Sequence, residues 1–171
     1  MTSNLVRLVR AALIAGIYVA LCLVLQPLSY GPVQVRVSEA LTLLPLFTPD
    51  AIWAVTLGCF LSNLFSMSPW DMLFGTLATF LAAVMTWKLR AVRVKGLPLA
   101  ACLPPILVNA VVVGAEITYI FMPETASLPV LAFNMLTVGL GQAVSCGVLG
   151  LALVSLIERR PQLRQLFGEV T

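Results

Sequence analysis

The chain has 171 residues, of which 60% are hydrophobic and only 10% charged, with a net charge of +3 and a mean hydropathy of +1.03. So few charges cannot cover the surface of a water-soluble domain of this size, which excludes that class and predicts an all-α, polytopic integral membrane protein. There is no histidine, so imidazole catalysis and histidine-ligated metals are excluded as well.

A bilayer crossing needs roughly 20 apolar residues. Six such runs fit the chain, which reads as a single transmembrane domain over residues 1–171 with no room for a sizeable soluble domain. No cleavable signal peptide is expected, because the first apolar run is long and no small-residue cleavage site follows it.

The first predicted helix covers residues 8–25, after a short basic lead-in, and stops at Gln26-Pro27. It carries Ala12, Gly16 and Ala20 at a spacing of four, with Ala11 and Ala15 beside them. Small residues so spaced let a second helix approach closely in lipid. The neighbour is either another helix of this chain or a different membrane subunit. Residues 26–35, with two prolines, a glycine and Tyr30, are a loop long enough to fold over a pocket.

A second, unusually short helix is predicted over 36–47, headed by Arg36 and Glu39 with Ser38 between them. A charged pair leading into hydrocarbon is expensive. It is therefore either a site or a satisfied structural pair, since residues three apart can pair side by side. The third helix is expected over 50–65, the fourth over 70–87, the fifth over 97–121 and the sixth over 130–157. The sixth has its own small-residue stripe, Gly139, Ala143 and Gly147, best read as helix packing. Cys22, Cys59, Cys102 and Cys146 stand singly in apolar runs, a spacing that fits neither a disulfide framework nor a metal site, and they read as small packing residues.

The basic residues give the orientation. With six crossings and both termini in the cytoplasm, Arg7, Arg10, Lys88, Arg90, Arg93, Lys95, Arg159, Arg160 and Arg164 all face inward and only Arg36 faces out. The remaining polar residues then converge on one outer level: Arg36 and Glu39, Asn63, Trp70 with Asp71, Glu116 with Tyr119, Glu124 and Asn134. Asn109 shares a helix face with Glu116 but lies deeper. An ionisable residue inside a membrane helix is a candidate functional residue by default. Asp71 also suits a helix start, Trp70 an interface anchor, and Glu124 a solvated loop. Glu116, among Val113, Gly114, Ala115 and Ile117, is the hardest to explain structurally.

Four carboxylates against one arginine suit a solute rich in N–H donors, or a cation, and disfavour an anion. A flat heterocycle would stack on Trp70, Tyr30 or Tyr119, and an amidine-like edge, as in guanine, would be held by one carboxylate through two hydrogen bonds. No phosphate-binding GxxxxGK[ST], no HExxH and no GxSxG is present, so uphill transport would draw its energy from a coupling ion or a partner protein.

Arg36-Val37-Ser38-Glu39-Ala40-Leu41-Thr42, the run from Gly58 to Asn63, and Asp71 with Phe74-Gly75-Thr76-Leu77-Ala78-Thr79 resemble the QueT family of queuosine-precursor transporters. The resemblance covers most of the chain. It implies a substrate-binding S-component of an energy-coupling factor (ECF) transporter in a bacterial plasma membrane. Such a six-helix bundle works with a transmembrane coupling protein and two cytoplasmic ATPases, and has no cofactor, metal, nucleic-acid partner or enzymatic activity of its own. The first-helix stripe Ala11, Ala12, Ala15, Gly16 and Ala20 would dock the coupling protein. The implied cargo is a 7-deazaguanine: the aminomethyl precursor, the nitrile precursor or queuine. The expected pocket is Glu39, Asn63, Asp71, Asn109, Glu116 and Asn134, with Trp70 and Tyr119 as aromatic walls, Arg36 orienting Glu39 and the 26–35 loop as a gate. Another micronutrient, or an autonomous ion-coupled carrier, are the rival readings.

Overall fold

The computed structural model describes residues 4–25, 35–65 and 68–167, and they are helical almost throughout. The helices are α1 (Asn4–Val24), α2 (Val37–Leu46), α3 (Asp50–Leu64), α4 (residues 71–88), α5 (Leu99–Phe121), α6 (Leu128–Arg159) and a short terminal α7 (Pro161–Leu166). These bounds lie within a few residues of those expected from the apolar runs. Three of the helices, α1, α5 and α6, are long and apolar enough to cross a membrane, whereas α2 and α3 are shorter apolar helices.

The outer helices pack in chain order, α1 on α3, α3 on α4, α4 on α5 and α5 on α6. The second helix runs inside this arc and touches α1, α3, α4, α5 and α6. Its residues Ser38 to Leu46 are all buried. It is a 3-10 helix for all ten of its residues, although such runs rarely exceed three or four. At about 2.0 Å per residue, ten residues reach about 20 Å, against about 15 Å for the same length of α-helix. The tighter winding lets a short segment extend further through the bundle without adding residues. A buried helix pays for itself only if neighbours come close. Gly150 of α6 permits this, since a β-carbon there would lie 2.8 Å from Leu43 Cδ1.

Proline removes backbone donors from α5 at Pro104 and Pro105. The carbonyl that the Pro105 N–H would have satisfied belongs to Ala101, and the Thr86 hydroxyl of α4 donates to it at 3.1 Å. In a membrane interior such an orphan carbonyl would otherwise cost several kcal/mol, so Thr86 (fully buried) supplies the missing donor from the neighbouring helix. Wider, π-type turns occupy residues 71–75, 117–121 and 143–150.

At one end of the bundle several contacts tie chain segments together. Arg7 donates two hydrogen bonds to Asp50, at 2.9 and 2.5 Å, and Arg10 donates to the Phe167 carbonyl at 2.8 Å. Arg93 donates to Glu158 at 2.7 Å. Between α4 and α5 the chain reverses at Lys95-Gly96, both with positive φ, closed by paired hydrogen bonds between Val94 and Leu97.

Gly58 holds α3 against α1: a β-carbon there would lie 2.7 Å from Tyr18 Cβ and 3.2 Å from the Ala15 carbonyl oxygen. Gly16, on the other side of α1, would meet nothing within 4 Å. Gly58→Ala is therefore expected to destabilise the protein by about 1–3 kcal/mol, while Gly16→Ala leaves stability unchanged or slightly raised. Thermal unfolding of both variants in detergent checks the contrast.

Candidate functional site

The site begins with Tyr18, which is fully buried on the inner face of α1 with Ile14 and Cys22 one turn to either side. Its hydroxyl donates a short hydrogen bond to Glu39 Oε1 on α2. A buried phenol needs a polar partner, and here the partner is the carboxylate at the head of the central helix. The other oxygen of Glu39 is buried with no hydrogen-bond partner. Around the same turn, Cys22 Sγ and Ser38 Oγ lie 3.0 Å apart, Thr42 donates to the Glu39 carbonyl at 2.6 Å, and Cys146 donates to that carbonyl at 3.3 Å. The four cysteines are buried and free, and no metal-binding cluster occurs among the described residues.

Arg36, also buried, interacts electrostatically with Tyr18, Glu39 and Asp71. Glu116 interacts with Asp71 and Arg36. The fold thus gathers Tyr18 from α1, Arg36 and Glu39 from the α2 entrance, Asp71 from α4 and Glu116 from α5 into one charged cluster inside an apolar bundle. Asn63 ties the cluster's edges together. Its amide donates to the Asp71 carbonyl at 2.9 Å, and a β-carbon on Gly75 would come within 2.9 Å of that amide nitrogen.

Glu116 is set apart from the other carboxylates. It is 3% exposed, and both of its oxygens are buried without a hydrogen-bond partner among the described residues. It stands where α5 changes to the wider winding of 117–121, while Asp71 opens the corresponding wide turn of α4. Local widening of this kind re-aims side chains and frequently marks functional positions. Beside Glu116 a groove of about 480 Å³ runs between α4 and α5, lined by Phe74, Leu77, Val111, Ala115 and Tyr119 among others.

The remaining expected residues fall into place around this cluster or away from it. The Asn134 amide donates to the Thr118 hydroxyl at 2.9 Å, bridging α6 to the wide turn of α5, and Thr118 donates to the Gly114 carbonyl at 2.8 Å. Asn109 donates to the Pro105 carbonyl of its own helix at 2.9 Å. It sits two turns from Glu116, about 10 Å along the axis. Trp70 is half-exposed and stacks on Phe74, their ring centroids 6.1 Å apart. Tyr119 is half-exposed on the groove rim, and Glu124 is exposed beyond it. Tyr30 and residues 26–34 of the expected gate lie outside the described residues. On α1, Ala15 is buried against α3 and Ala11 is partly buried, whereas Ala12, Gly16 and Ala20 form the exposed stripe.

Sequence reasoning passed over Tyr18. The signal was available: it is the only hydroxyl-bearing residue of α1 and stands in the apolar run 11–24, one turn from Ile14 and Cys22. What it lacked was a partner, which lies twenty-one residues away on another helix.

The chain matches the family model described as "QueT transporter" over residues 8–159. It belongs to the QueT transporter family. The match contains every residue of the cluster and the whole of the α1 stripe. A stretch of 74 residues is 42% identical to the Queuosine precursor transporter QueT of Lactococcus lactis subsp. cremoris (strain MG1363), covering 42% of this chain and 44% of that protein. The chain is thus aligned with less than half the length of that relative. No solved structure matches it significantly. Membership of the QueT transporter family and the apolar helices together make this a membrane protein.

Removing the Tyr18 hydroxyl leaves Glu39 buried with neither oxygen paired. Tyr18→Phe is therefore expected to lower stability by about 1–3 kcal/mol. The drop should be visible as a lower melting temperature, and Tyr119→Phe, on the half-exposed rim, should show no such drop.

Proposed function

We propose that this chain captures a queuosine precursor, a 7-deazaguanine, and serves as the substrate-binding S-component of an ECF transporter. The observation that carries the reading is Glu116, a carboxylate buried in an apolar bundle with both oxygens left unpartnered, in a chain of the QueT transporter family. An unpaired buried acceptor of this kind is costly unless a ligand satisfies it. The N–H edge of a guanine-type ring matches it, donating two parallel hydrogen bonds to one carboxylate. The name of the Lactococcus relative points to the same cargo class.

In this reading Glu116 meets the base, and Asp71 lies close enough to hold a substituent ammonium. Tyr18 and Arg36 hold Glu39 in place, so Glu39 supports the pocket from below. Asn63 and Asn134 position α4 and the wide turn of α5 through the bonds described above. Tyr119 and the Trp70–Phe74 stack supply flat surfaces. Asn109 is a structural residue at the α5 kink and not a ligand contact.

Six crossings with both termini in the cytoplasm of a bacterial cell suit this function. Support comes from the contacts that bring Arg7, Asp50, Arg93, Glu158 and Phe167 to one end of the bundle, where positive charge is expected to gather. The exposed stripe Ala12, Gly16 and Ala20 is the docking face for the transmembrane coupling protein, because it offers close approach and, among the described residues, none lies within 4 Å of a β-carbon at Gly16. Two partner ATPases would supply the energy.

Calorimetry of the aminomethyl deazaguanine on the purified protein tests the cargo. Binding by the parent is expected, with affinity reduced about tenfold or more in Glu116→Gln and unchanged in Glu124→Gln. No binding by the folded parent of this compound, the nitrile or queuine would sink the reading. For the docking face, Gly16→Leu should retain cargo binding while preventing co-purification with the coupling protein and ATPases. Undiminished assembly would move the docking face elsewhere.

A further inference from the structure

The groove between α4 and α5 is larger and more apolar than a deazaguanine requires. At about 480 Å³ it falls in the range of sites that take drug-sized molecules. Its walls are Phe74 and Leu77 on α4 and Val111, Ala115 and Tyr119 on α5, and among the described residues its one carboxylate is Glu116. Leu77, Val111 and Tyr119 are each about half exposed, so the groove opens sideways on the outside of the bundle. In a membrane protein that side faces hydrocarbon.

Two features of this groove belong together. A carboxylate that is 3% exposed, and whose two oxygens have no hydrogen-bond partner among the described residues, sits in its wall. Around that carboxylate, Asp71 adds a second acidic group and Arg36 a single basic one. The local balance, with Glu39 included, is three carboxyl groups to one guanidinium, which favours a cation. The rest of the lining offers only hydrocarbon and aromatic surface to whatever accompanies that cation.

We infer that the α4–α5 groove is a lateral binding site for an organic cation carrying a hydrocarbon body, entered from the bilayer. The ammonium pairs with Glu116, and the hydrocarbon lies along Phe74, Leu77 and Val111. Such a molecule partitions into the membrane first, which concentrates it on the outside of the bundle, where the groove opens. The inference rests on Glu116 being a ligand-meeting carboxylate, as proposed above, but not on the identity of the cargo. It implies that lipophilic primary amines compete with the cargo, because both use the same two oxygens.

The test uses the full-length protein in phosphatidylcholine nanodiscs. The probes are dodecylamine carrying a photoreactive diazirine in its tail and the matching dodecanol. Labelling sites are read by mass spectrometry. The amine is expected to label α4 and α5 at the groove, at least about tenfold more strongly than the alcohol. Glu116→Gln should abolish that preference. Val111→Trp, and separately Leu77→Trp, should fill the groove and suppress labelling of α4 and α5, with an unchanged melting temperature as the control for folding. Equal labelling by amine and alcohol, labelling elsewhere on the chain, or a preference that survives Glu116→Gln would overturn the inference. Groove labelling by the amine in a protein that binds no deazaguanine would uphold the lateral site and overturn only the cargo.

Discussion

The hydrogen bond from Tyr18 to Glu39 joins the outermost helix of the arc to the helix at its centre. A carboxylate buried in hydrocarbon surroundings must be satisfied or it destabilises the fold. Satisfying Glu39 fixes where α2 can sit, and α2 touches five other helices. Much of the packing follows from that placement. Gly58 lets α3 lie close against Tyr18, and Gly150 lets α6 close on Leu43. Thr42 of α2 and Cys146 of α6 both donate to the Glu39 carbonyl. The central helix is thus held by polar contacts at its head and by hydrocarbon along its length.

Irregular winding is the second theme of this fold. Helices in a membrane interior must satisfy their own backbone groups, and departures from the α pattern are tolerated only where neighbours compensate. Here the 3-10 winding of α2 lies wholly inside the bundle, and the wide turn of α6 packs directly on it. The donor that Pro105 removes from α5 is replaced by the Thr86 hydroxyl. The wide turns of α4 and α5 bracket the pair Asp71 and Glu116. Widening the helix there displaces side chains from the regular register, which is how two acidic residues from different helices come to share one cluster.

The same arrangement separates two roles among the carboxylates. Glu39 has a protein donor and serves the architecture. Glu116 has none among the described residues. The distinction rests on hydrogen-bond partners supplied by other helices.

What the sequence determined by itself is the membrane class, the helical stretches and the set of polar residues that needed an explanation. Hydrocarbon length and composition decide the first two, because a crossing segment must be long and apolar whatever surrounds it. The family was legible for a similar reason, since the motifs around Arg36–Thr42, Gly58–Asn63 and Asp71–Thr79 are contiguous strings. Helix rotation is another matter. Whether Ala15 turns inward while Gly16 turns outward, whether Tyr18 reaches Glu39, and which carboxylate keeps its oxygens free depend on how helices distant in sequence pack. Apolar residues surround nearly every position in this chain, so hydrophobic periodicity says little about which side of a helix is inside. Only the tertiary structure decided those questions, because the partner that satisfies a buried polar group lies on a different helix.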